Sequence, residues 1–271
     1  VTGGQPMAGV VMEHDTVANP AVVLNSTRGF TSSDFDSKAY APVIKNNRFG
    51  QFTGLQVQNT SGGPIDVTVT YSGVAGCTGT YEDEATAVPD GTSVTFVHTG
   101  TSTDLPANCT ASATVEATGD FVAIVNEQEV SGAANKVGTT YSAMADGAAT
   151  EKISVPLYKD NRFGALTGLQ IQNVGGSAAT FTATFSCQGG ATFTAVSDPA
   201  KTGTIAPGAA FLFYTPSGDD LFTGANPFSS DNVNCAVTIE ANQPVVAIAN
   251  EAPTVAGNLD NNNYEGFNLQ P

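Results

Sequence analysis

The sequence predicts an all-β protein of two tandem antiparallel β-sandwich domains with an extra N-terminal strand segment. Three observations lead to this prediction: a long internal repeat, short runs of β-favouring residues between turn residues, and four cysteines at equivalent places in the repeat. They divide the chain into an N-terminal segment (residues 1–37), repeat 1 (residues 38–148) and repeat 2 (residues 149–271).

The internal repeat is the clearest signal. PVIKNNRFGQFTGLQVQN at residues 42–59 returns as PLYKDNRFGALTGLQIQN at residues 156–173. NCTASATVEATGDFVAIVNE at 108–127 returns as NCAVTIEANQPVVAIANE at 234–251, and each is followed by a tail, TYSAM or NYEGF. Because whole blocks recur in the same order, each repeat is expected to form one complete structural unit.

A third, partial copy precedes both repeats. MAGVVME at residues 7–13 resembles FVAIVNE, and STRGF at residues 26–30 resembles the two tails. The N-terminal segment therefore resembles the end of a repeat whose beginning is missing.

The strand prediction depends on local composition. Runs such as GLQVQN, DVTVTY, SVTFVH, ATVEA and FVAIVNE are rich in Val, Thr and Phe, and Gly, Pro, Asn and Asp separate them. They predict six or seven short strands in each repeat and hence an immunoglobulin-like sandwich. A single closed sheet is the alternative, and very little helix is expected because no stretch keeps a helical period.

The net charge and the short apolar stretches limit the classes of partner that the chain can bind. The net charge is −16 with only nine Lys and Arg, so nucleic acid would be repelled. No apolar stretch approaches the ~20 residues of a membrane-spanning helix. A chain that starts at Val1 without a leader is what we expect of a processed secreted protein, and the predicted location is extracellular or on the cell surface.

The cysteines predict one disulfide in each repeat. The repeat symmetry favours Cys77 with Cys109 and Cys187 with Cys235 among the three pairings that four cysteines allow. Such bridges indicate an oxidising compartment. Zinc is the alternative, but the chain has no CxxC motif.

The NRFG motif contains two of the three arginines of the chain. We expect Arg48 and Arg162 to hold main-chain carbonyls or a carboxylate, and Phe49 and Phe163 to anchor the core. The expected carboxylates end the repeated strands: Glu13, Glu127 and Glu251. Recognition of a sugar or carboxylate ligand by the arginines is the alternative.

No catalytic motif is present, and the protein is predicted not to be an enzyme. His14 and His98 are interpreted as surface residues, because neither accompanies a nucleophile motif. No cofactor is expected. Calcium is the one candidate, through oxygen-rich clusters at Asp34 to Asp36, Glu82 to Glu84, Asp219 to Asp220 and Asp260 to Asn263, although none has EF-hand spacing.

Three sequons offer glycan attachment sites at Asn25, Asn59 and Asn108. Sequons also arise by chance in a Thr-rich chain. Glycosylation therefore remains an option that the sequence alone does not decide.

Taken together, the PVIKN or PLYKD strand, the TGLQVQN or TGLQIQN strand and the VVAIANE strand with its tail resemble tandem immunoglobulin-like β-sandwich repeats of bacterial cell-surface proteins. The resemblance covers nearly the whole chain and implies an extracellular structural protein. It implies no catalytic residues.

The surplus N-terminal segment suggests the function. We expect an extracellular structural subunit that joins copies of itself head to tail into a filament or surface layer, because an unpaired strand can add to a sheet edge of a neighbour. The expected contact residues are Met7, Val10, Met12, Val22 and Leu24.

Three alternatives stay open. The segment packs instead on repeat 1 of its own chain, or a neighbour's strand around Ala41 to Lys45 docks at the far end of repeat 2. In the third, the protein is a monomeric adhesin or carbohydrate-binding module, whose site lies in the loop from Pro216 to Asp231 with Phe222 and Phe228 exposed.

Overall fold

The computed structural model describes residues 9–14, 24–100, 102–129, 138–188, 193–214, 221–223, 228, 232–254 and 262–268. Within this part of the chain the protein is almost entirely β, and every strand pairing is antiparallel. One short α-helix, Pro199–Thr202, is present among the described residues, with two single 3-10 turns. The all-β prediction is therefore confirmed, whereas the immunoglobulin-like assignment stays a prediction.

The N-terminal segment forms a two-stranded hairpin. Its strands are β1 (Val10–His14) and β2 (Leu24–Arg28). Met7 and Val22, two of the expected contact residues, lie outside the described residues, as do the side chains of Leu24 and Glu13.

Repeat 1 contributes eight described strands to one sheet. They are β3 (Asp36–Asn46), β4 (Gln51–Asn59), β5 (Ile65–Ala75), β6 (Thr80–Val88), β7 (Ser93–Val97), β8 (Cys109–Glu129), β9 (Gly138–Ser142) and β10 (Met144–Ala145). The core of this repeat includes Tyr40, Ile44, Leu55, Tyr71 and Phe121.

Repeat 2 contributes nine described strands to a second sheet. They are β11 (Thr150–Asp160), β12 (Ala165–Asn173), β13 (Phe181–Gln188), β14 (Phe193–Ser197), β15 (Ala210–Tyr214), β16 (Phe222–Thr223), β17 (Val233–Pro253), β18 (Asn262–Glu265) and β19 (Phe267–Asn268). Its core is rich in aromatic rings, and Phe185 contacts Tyr158, Phe213, Phe222 and Phe228.

One long strand organises each repeat. The first half of β8 pairs with β3 and β5, and its second half pairs with β4 and β9. The strand β17 does the same with β11 and β13, then with β12 and β18. The sequence predicts ATVEA and FVAIVNE as two separate strands. The structure corrects this, since β8 continues without a break through Gly119 and Asp120.

Candidate interface between the repeats

The repeated strand ends hold a buried ion pair in each repeat. Lys45 Nζ lies 2.8 Å from Glu127 Oε2, and Lys159 Nζ lies 2.7 Å from Glu251 Oε2. Both glutamates are buried. The sequence predicts Arg48 and Arg162 as the partners of these glutamates. That expectation is wrong, because the lysine that begins each KNNRFG or KDNRFG motif, near the end of β3 or β11, pairs with the glutamate instead.

The arginines lie at the exposed corner that follows. Arg48 donates to Asn108 Oδ1 at 3.1 Å and to the main-chain carbonyl of Asn108 at 3.4 Å, so for Arg48 the expected hold on a carbonyl is confirmed. Arg162 donates to Asn232 Oδ1 at 3.1 Å. Each guanidinium also lies 4.4 Å from the ring of the next residue, Phe49 or Phe163. These rings are 75% and 77% exposed, so the expectation that they anchor the core is wrong. Both phenylalanines have a positive φ, which turns them outward.

The surface between the two repeats is the candidate site. On repeat 2, four side chains of β12 and the second half of β17 share one side of the sheet: Gln170, Gln172, Val246 and Ile248. We call these four residues the glutamine face. All are buried, and the two apolar ones join the core cluster of repeat 1.

Hydrogen bonds fix this contact. Gln172 Nε2 donates to the carbonyl of Ala113 at 3.1 Å, and Gln170 Nε2 donates to the carbonyl of Pro42. In the opposite direction, Ser112 Oγ donates to the carbonyl of Gly208 at 2.8 Å. Because buried amides and hydroxyls cost free energy when unpaired, these bonds make the contact specific.

The receiving surface on repeat 1 lies on β3, β5 and the first half of β8. We call Pro42, Ser72, Ser112 and Thr114 the proline face. Pro42 and Ser112 are buried under repeat 2, and Ser72 and Thr114 are half-buried. None of the eight residues of the two faces carries a charge, which matters in a chain of net charge −16.

Each repeat has a counterpart of the face that the other repeat uses. Gln56 and Gln58 pair with Ile124 and Val122 in the register in which Gln170 and Gln172 pair with Ile248 and Val246. Yet Gln58 is exposed and Gln56 and Ile124 are half-buried, while Val122 alone is buried like its counterpart Val246. The glutamine face of repeat 1 is therefore less covered than that of repeat 2.

The proline face of repeat 2 is likewise open. Strand pairing places Pro156, Ser186, Ala236 and Thr238 where repeat 1 has Pro42, Ser72, Ser112 and Thr114. Pro156, Ser186 and Ala236 are exposed and Thr238 is half-buried. The contact between repeats thus joins two different faces and leaves one of each kind uncovered.

The hairpin of β1 and β2 is a third copy of a repeated structure. Val11 pairs with Thr27 as Val125 pairs with Tyr141 and Ala249 pairs with Tyr264. The next hydrogen bond is also shared, since Gly29, Ala143 and Gly266 each donate their N–H, to the carbonyls of Gly9, Ala123 and Ala247 respectively, at 2.7–2.9 Å. The structure therefore supports the partial third copy inferred from the sequence.

The three hairpins form a stack in chain order. The tail strand β2 lies against β9, and β9 lies against β18. Thr27 Oγ1 is 3.4 Å from Ser142 Oγ, and the N–H of Ser142 donates to Glu265 Oε1 at 3.2 Å. The N-terminal segment thus packs on repeat 1 of its own chain, as one of the sequence-based alternatives expects.

Charged groups also hold the N-terminal hairpin. Arg28 donates two hydrogen bonds to Asp34, at 2.8 and 2.6 Å. The bond from Arg28 lowers the pKa of Asp34 to about 2. Glu265 lies close enough to Arg28 for electrostatic attraction, although burial raises the pKa of Glu265.

The strand β1 exposes apolar side chains on both of its faces, because successive residues of a strand point to opposite sides. Val10, Val11 and Met12 are 69%, 59% and 64% exposed. The equivalents of Val11 in the two complete repeats, Val125 and Ala249, are fully buried. Among the described residues β1 pairs with β2 alone, whereas the equivalent strand segments of the complete repeats also pair with β4 and β12.

His98 is buried, which corrects its assignment to the surface. Its ring nitrogens lie 2.9 Å from the Thr53 carbonyl and 2.9 Å from Tyr71 Oη. Burial lowers the pKa of His98 to about 4. The side chain of His14 lies outside the described residues.

The sequons differ in accessibility. Asn59 is buried and its amide donates to the carbonyls of Gly63 and Val88, so this sequon has a structural role. Asn108 is exposed, with a positive φ, and accepts from Arg48. The side chain of Asn25 lies outside the described residues.

The expected exposed aromatic residues of the long loop are not exposed. Phe222 and Phe228 are buried against Phe185 in the core of repeat 2. The expectation that these two rings are exposed is therefore wrong. Residues 215–220, 224–227 and 229–231 of this loop lie outside the described residues.

Two of the acidic side chains in the oxygen-rich clusters, Asp34 and Asp83, have several protein partners. Asp34 accepts from Arg28 and Thr31, and Asp83 accepts from Tyr71 and Thr103. Asp219, Asp220 and Asp260 lie outside the described residues. Among the residues that the structure does describe, no three His, Cys, Asp or Glu side chains group in a way that would hold a metal ion.

The disulfides join Cys77 to Cys109 and Cys187 to Cys235, the pairing that the repeat symmetry favours. Each bridge lies within one repeat: Cys187–Cys235 links β13 to β17, and Cys77–Cys109 links the turn after β5 to the start of β8. In the described part of the chain, no helix has the length and apolar character needed to cross a membrane.

Comparison with known proteins does not identify a family. No family model and no curated protein matches this chain. A crystal structure of Thermotoga maritima 1070 covers 41% of this chain and 95% of its own, at 17% identity and a TM-score of 0.32. A serine-rich repeat protein (Srr2) from Streptococcus agalactiae covers 95% of this chain and 92% of its own, at 8% identity and a TM-score of 0.18.

Proposed function

We propose that this protein is an extracellular structural subunit that joins copies of itself head to tail into a filament or surface layer, each copy contributing two immunoglobulin-like sandwich repeats. The observation that supports the proposal is that the contact between the repeats joins two different faces and leaves a counterpart of each face accessible. Because the glutamine face and the proline face are different surfaces, a contact between them does not close on itself and can continue from copy to copy.

The uncovered faces match the requirements of such a contact. The glutamine face of repeat 1 presents Gln58 and Ile124, and the proline face of repeat 2 presents Pro156 and Ala236. When these faces meet, the joint between copies resembles the joint within each copy. Both are uncharged, so this joint brings no like charges into direct contact, although two chains of net charge −16 repel each other at a distance.

The two disulfides are compatible with an oxidising, extracellular location. The sequence-based mode of joining, strand addition by residues 1–37, differs from face-to-face stacking of repeats. The contacts favour stacking, because the described part of the N-terminal segment packs on repeat 1 of its own chain.

The alternative of a monomeric adhesin or carbohydrate-binding module has less support. Its expected contact residues, Phe222 and Phe228, are buried in the core of repeat 2. No other described residue suggests a ligand for that loop.

The test is to place a charge on each uncovered face. Gln58→Arg and Ala236→Arg each alter an exposed side chain, so we expect both variants to fold like the parent protein. Each should raise the concentration needed for assembly by at least about tenfold, since an unpaired arginine would be buried in the joint. Electron microscopy and light scattering across a concentration series measure this.

A matched control is Thr78→Arg, an exposed position in the turn between β5 and β6 that belongs to neither face. It should assemble like the parent. Equal assembly of all four proteins would refute the face-to-face joint, and the absence of assembly by the parent at any concentration would refute the polymer.

A further inference from the structure

The hairpin of β1 and β2 lies where a neighbouring copy would have to dock. Within the chain, repeat 2 docks on repeat 1 and brings its own hairpin, β17 with β18, against β9. By the same relation, a repeat docked on the glutamine face of repeat 1 from a second copy would bring its hairpin to the other side of β9. That place is filled by β2, whose Thr27 contacts Ser142.

The C-terminal hairpin of the second copy cannot separate from its repeat when the copies dock. The second half of β17 pairs with β12 along nine residues, from Ala165–Pro253 to Asn173–Val245, and its side chains Val246 and Ile248 form half of the glutamine face of that repeat. The strand is thus an integral part of repeat 2. Two hairpins with the same register would therefore compete for one place.

From this we infer that the N-terminal hairpin caps the β9 surface of repeat 1, and that the C-terminal hairpin of a second copy of this chain displaces the cap when copies join. The inference rests on the proposed function and names the partner of that surface.

The N-terminal hairpin is held weakly enough to be displaced. An isolated two-stranded hairpin has marginal stability in water. This one has five paired positions, and its residues Val10 and Val11 remain largely exposed. Elements with few buried apolar contacts open at the lowest free-energy cost, so the hairpin can leave repeat 1 without unfolding it.

The cap is also held in place by its own charges. Arg28 occupies the position of Ser142 and Glu265 in the other two hairpins, as the pairing with Val10, Ile124 and Ile248 shows. There it binds Asp34 and lies close to Glu265. The cap thus has contacts with its own chain that a hairpin from another copy, with Glu265 at that position, would lack.

Two changes to the cap should act in opposite directions. Deletion of residues 1–30 leaves β9 uncovered, and the truncated protein should assemble at a concentration at least about tenfold lower than the full chain. Thr27→Cys with Ser142→Cys should lock the cap by a disulfide, since the two hydroxyl oxygens are 3.4 Å apart. The locked protein should form no filaments.

The single variants Thr27→Cys and Ser142→Cys are the matched controls and should assemble like the parent. Mass spectrometry of proteolytic fragments establishes that the lock has formed and that the native bridges are intact. Sedimentation and electron microscopy measure assembly.

The outcomes separate this inference from the proposed function. If the full chain assembles but the deletion abolishes assembly, residues 1–30 join copies by strand addition and the cap is refuted. Equal assembly of full, truncated and locked chains also refutes the cap, while the polymer stands. If none of the proteins assembles, both proposals fail.

Discussion

The buried pair of Lys45 and Glu127 shows how single residues hold the end of the repeated strands. Their side chains are 14% and 5% exposed, so the glutamate depends on the lysine for compensation. The surface pair of Lys38 and Glu116, in which the side chains are 36% and 58% exposed, is the natural comparison. Solvent screens the second pair far more than the first.

We therefore predict that Glu127→Gln lowers the free energy of unfolding by about 2–4 kcal/mol, because a half-buried ammonium loses its charged partner. Glu116→Gln should cost less than about 1 kcal/mol. Urea unfolding followed by circular dichroism at neutral pH compares the two. Equal losses in the two variants would contradict the buried role of Glu127.

His98 predicts a pH dependence of stability. Its pKa is about 4 in the folded protein, against 6.5 for an unperturbed histidine. Between these values the unfolded chain binds a proton that the folded chain does not bind. Stability is therefore complete above pH 6.5 and falls as the pH drops toward 4, by up to about 3 kcal/mol.

The variant His98→Gln should lose this part of the pH dependence. Carboxylates titrate in both proteins, so the quantity to measure is the difference between parent and variant in the change of unfolding free energy from about pH 7 to about pH 4.5. We expect the variant to lose about 2–3 kcal/mol less than the parent. Parallel pH profiles would show that His98 already binds its proton in the folded state.

Among the elements, the long strand β8 depends on a glycine in the middle of its length. A Cβ atom at Gly119 would lie 2.8 Å from Ser61 Cβ and 2.9 Å from Ile65 Cγ2, and neither neighbour is the free end of a flexible side chain. We predict that Gly119→Ala costs about 1–3 kcal/mol, because the turn after β4 must shift.

Gly176→Ala is the control for that prediction. A Cβ at Gly176 meets nothing within 4 Å, and this glycine has no positive φ. The variant should change the unfolding free energy by less than about 0.5 kcal/mol. Thermal and urea unfolding of both variants measure the difference, and similar values for the two would refute the close packing at Gly119.

The strands themselves were predictable where composition and repeat agree. The GLQVQN and FVAIVNE runs form β4 and the second half of β8, as expected. The joining of two predicted strands into β8 was not predictable, because Gly119 and Asp120 also fit a turn. Only the close approach of Ser61 shows why a glycine is needed within a continuous strand.

For the molecule as a whole, the repeat predicted the cysteine pairing and the third hairpin but not the contact between repeats. The signal was nonetheless present, since glutamines stand at alternate positions of both TGLQ strands: Gln56, Gln58, Gln170 and Gln172. Alternation places such residues on one side of a sheet. Which side meets another repeat depends on tertiary packing, and that information is not local to the strand.

The unlike faces of the joint give any assembly of this chain a direction. One terminus of such an assembly displays the glutamines of a first repeat beside a hairpin cap, and the opposite terminus displays the bare proline and alanine of a second repeat. Each addition would move one hairpin, which belongs to the last subunit of the assembly at the first terminus and to the incoming subunit at the other. Subunits would therefore add to the two termini at different rates.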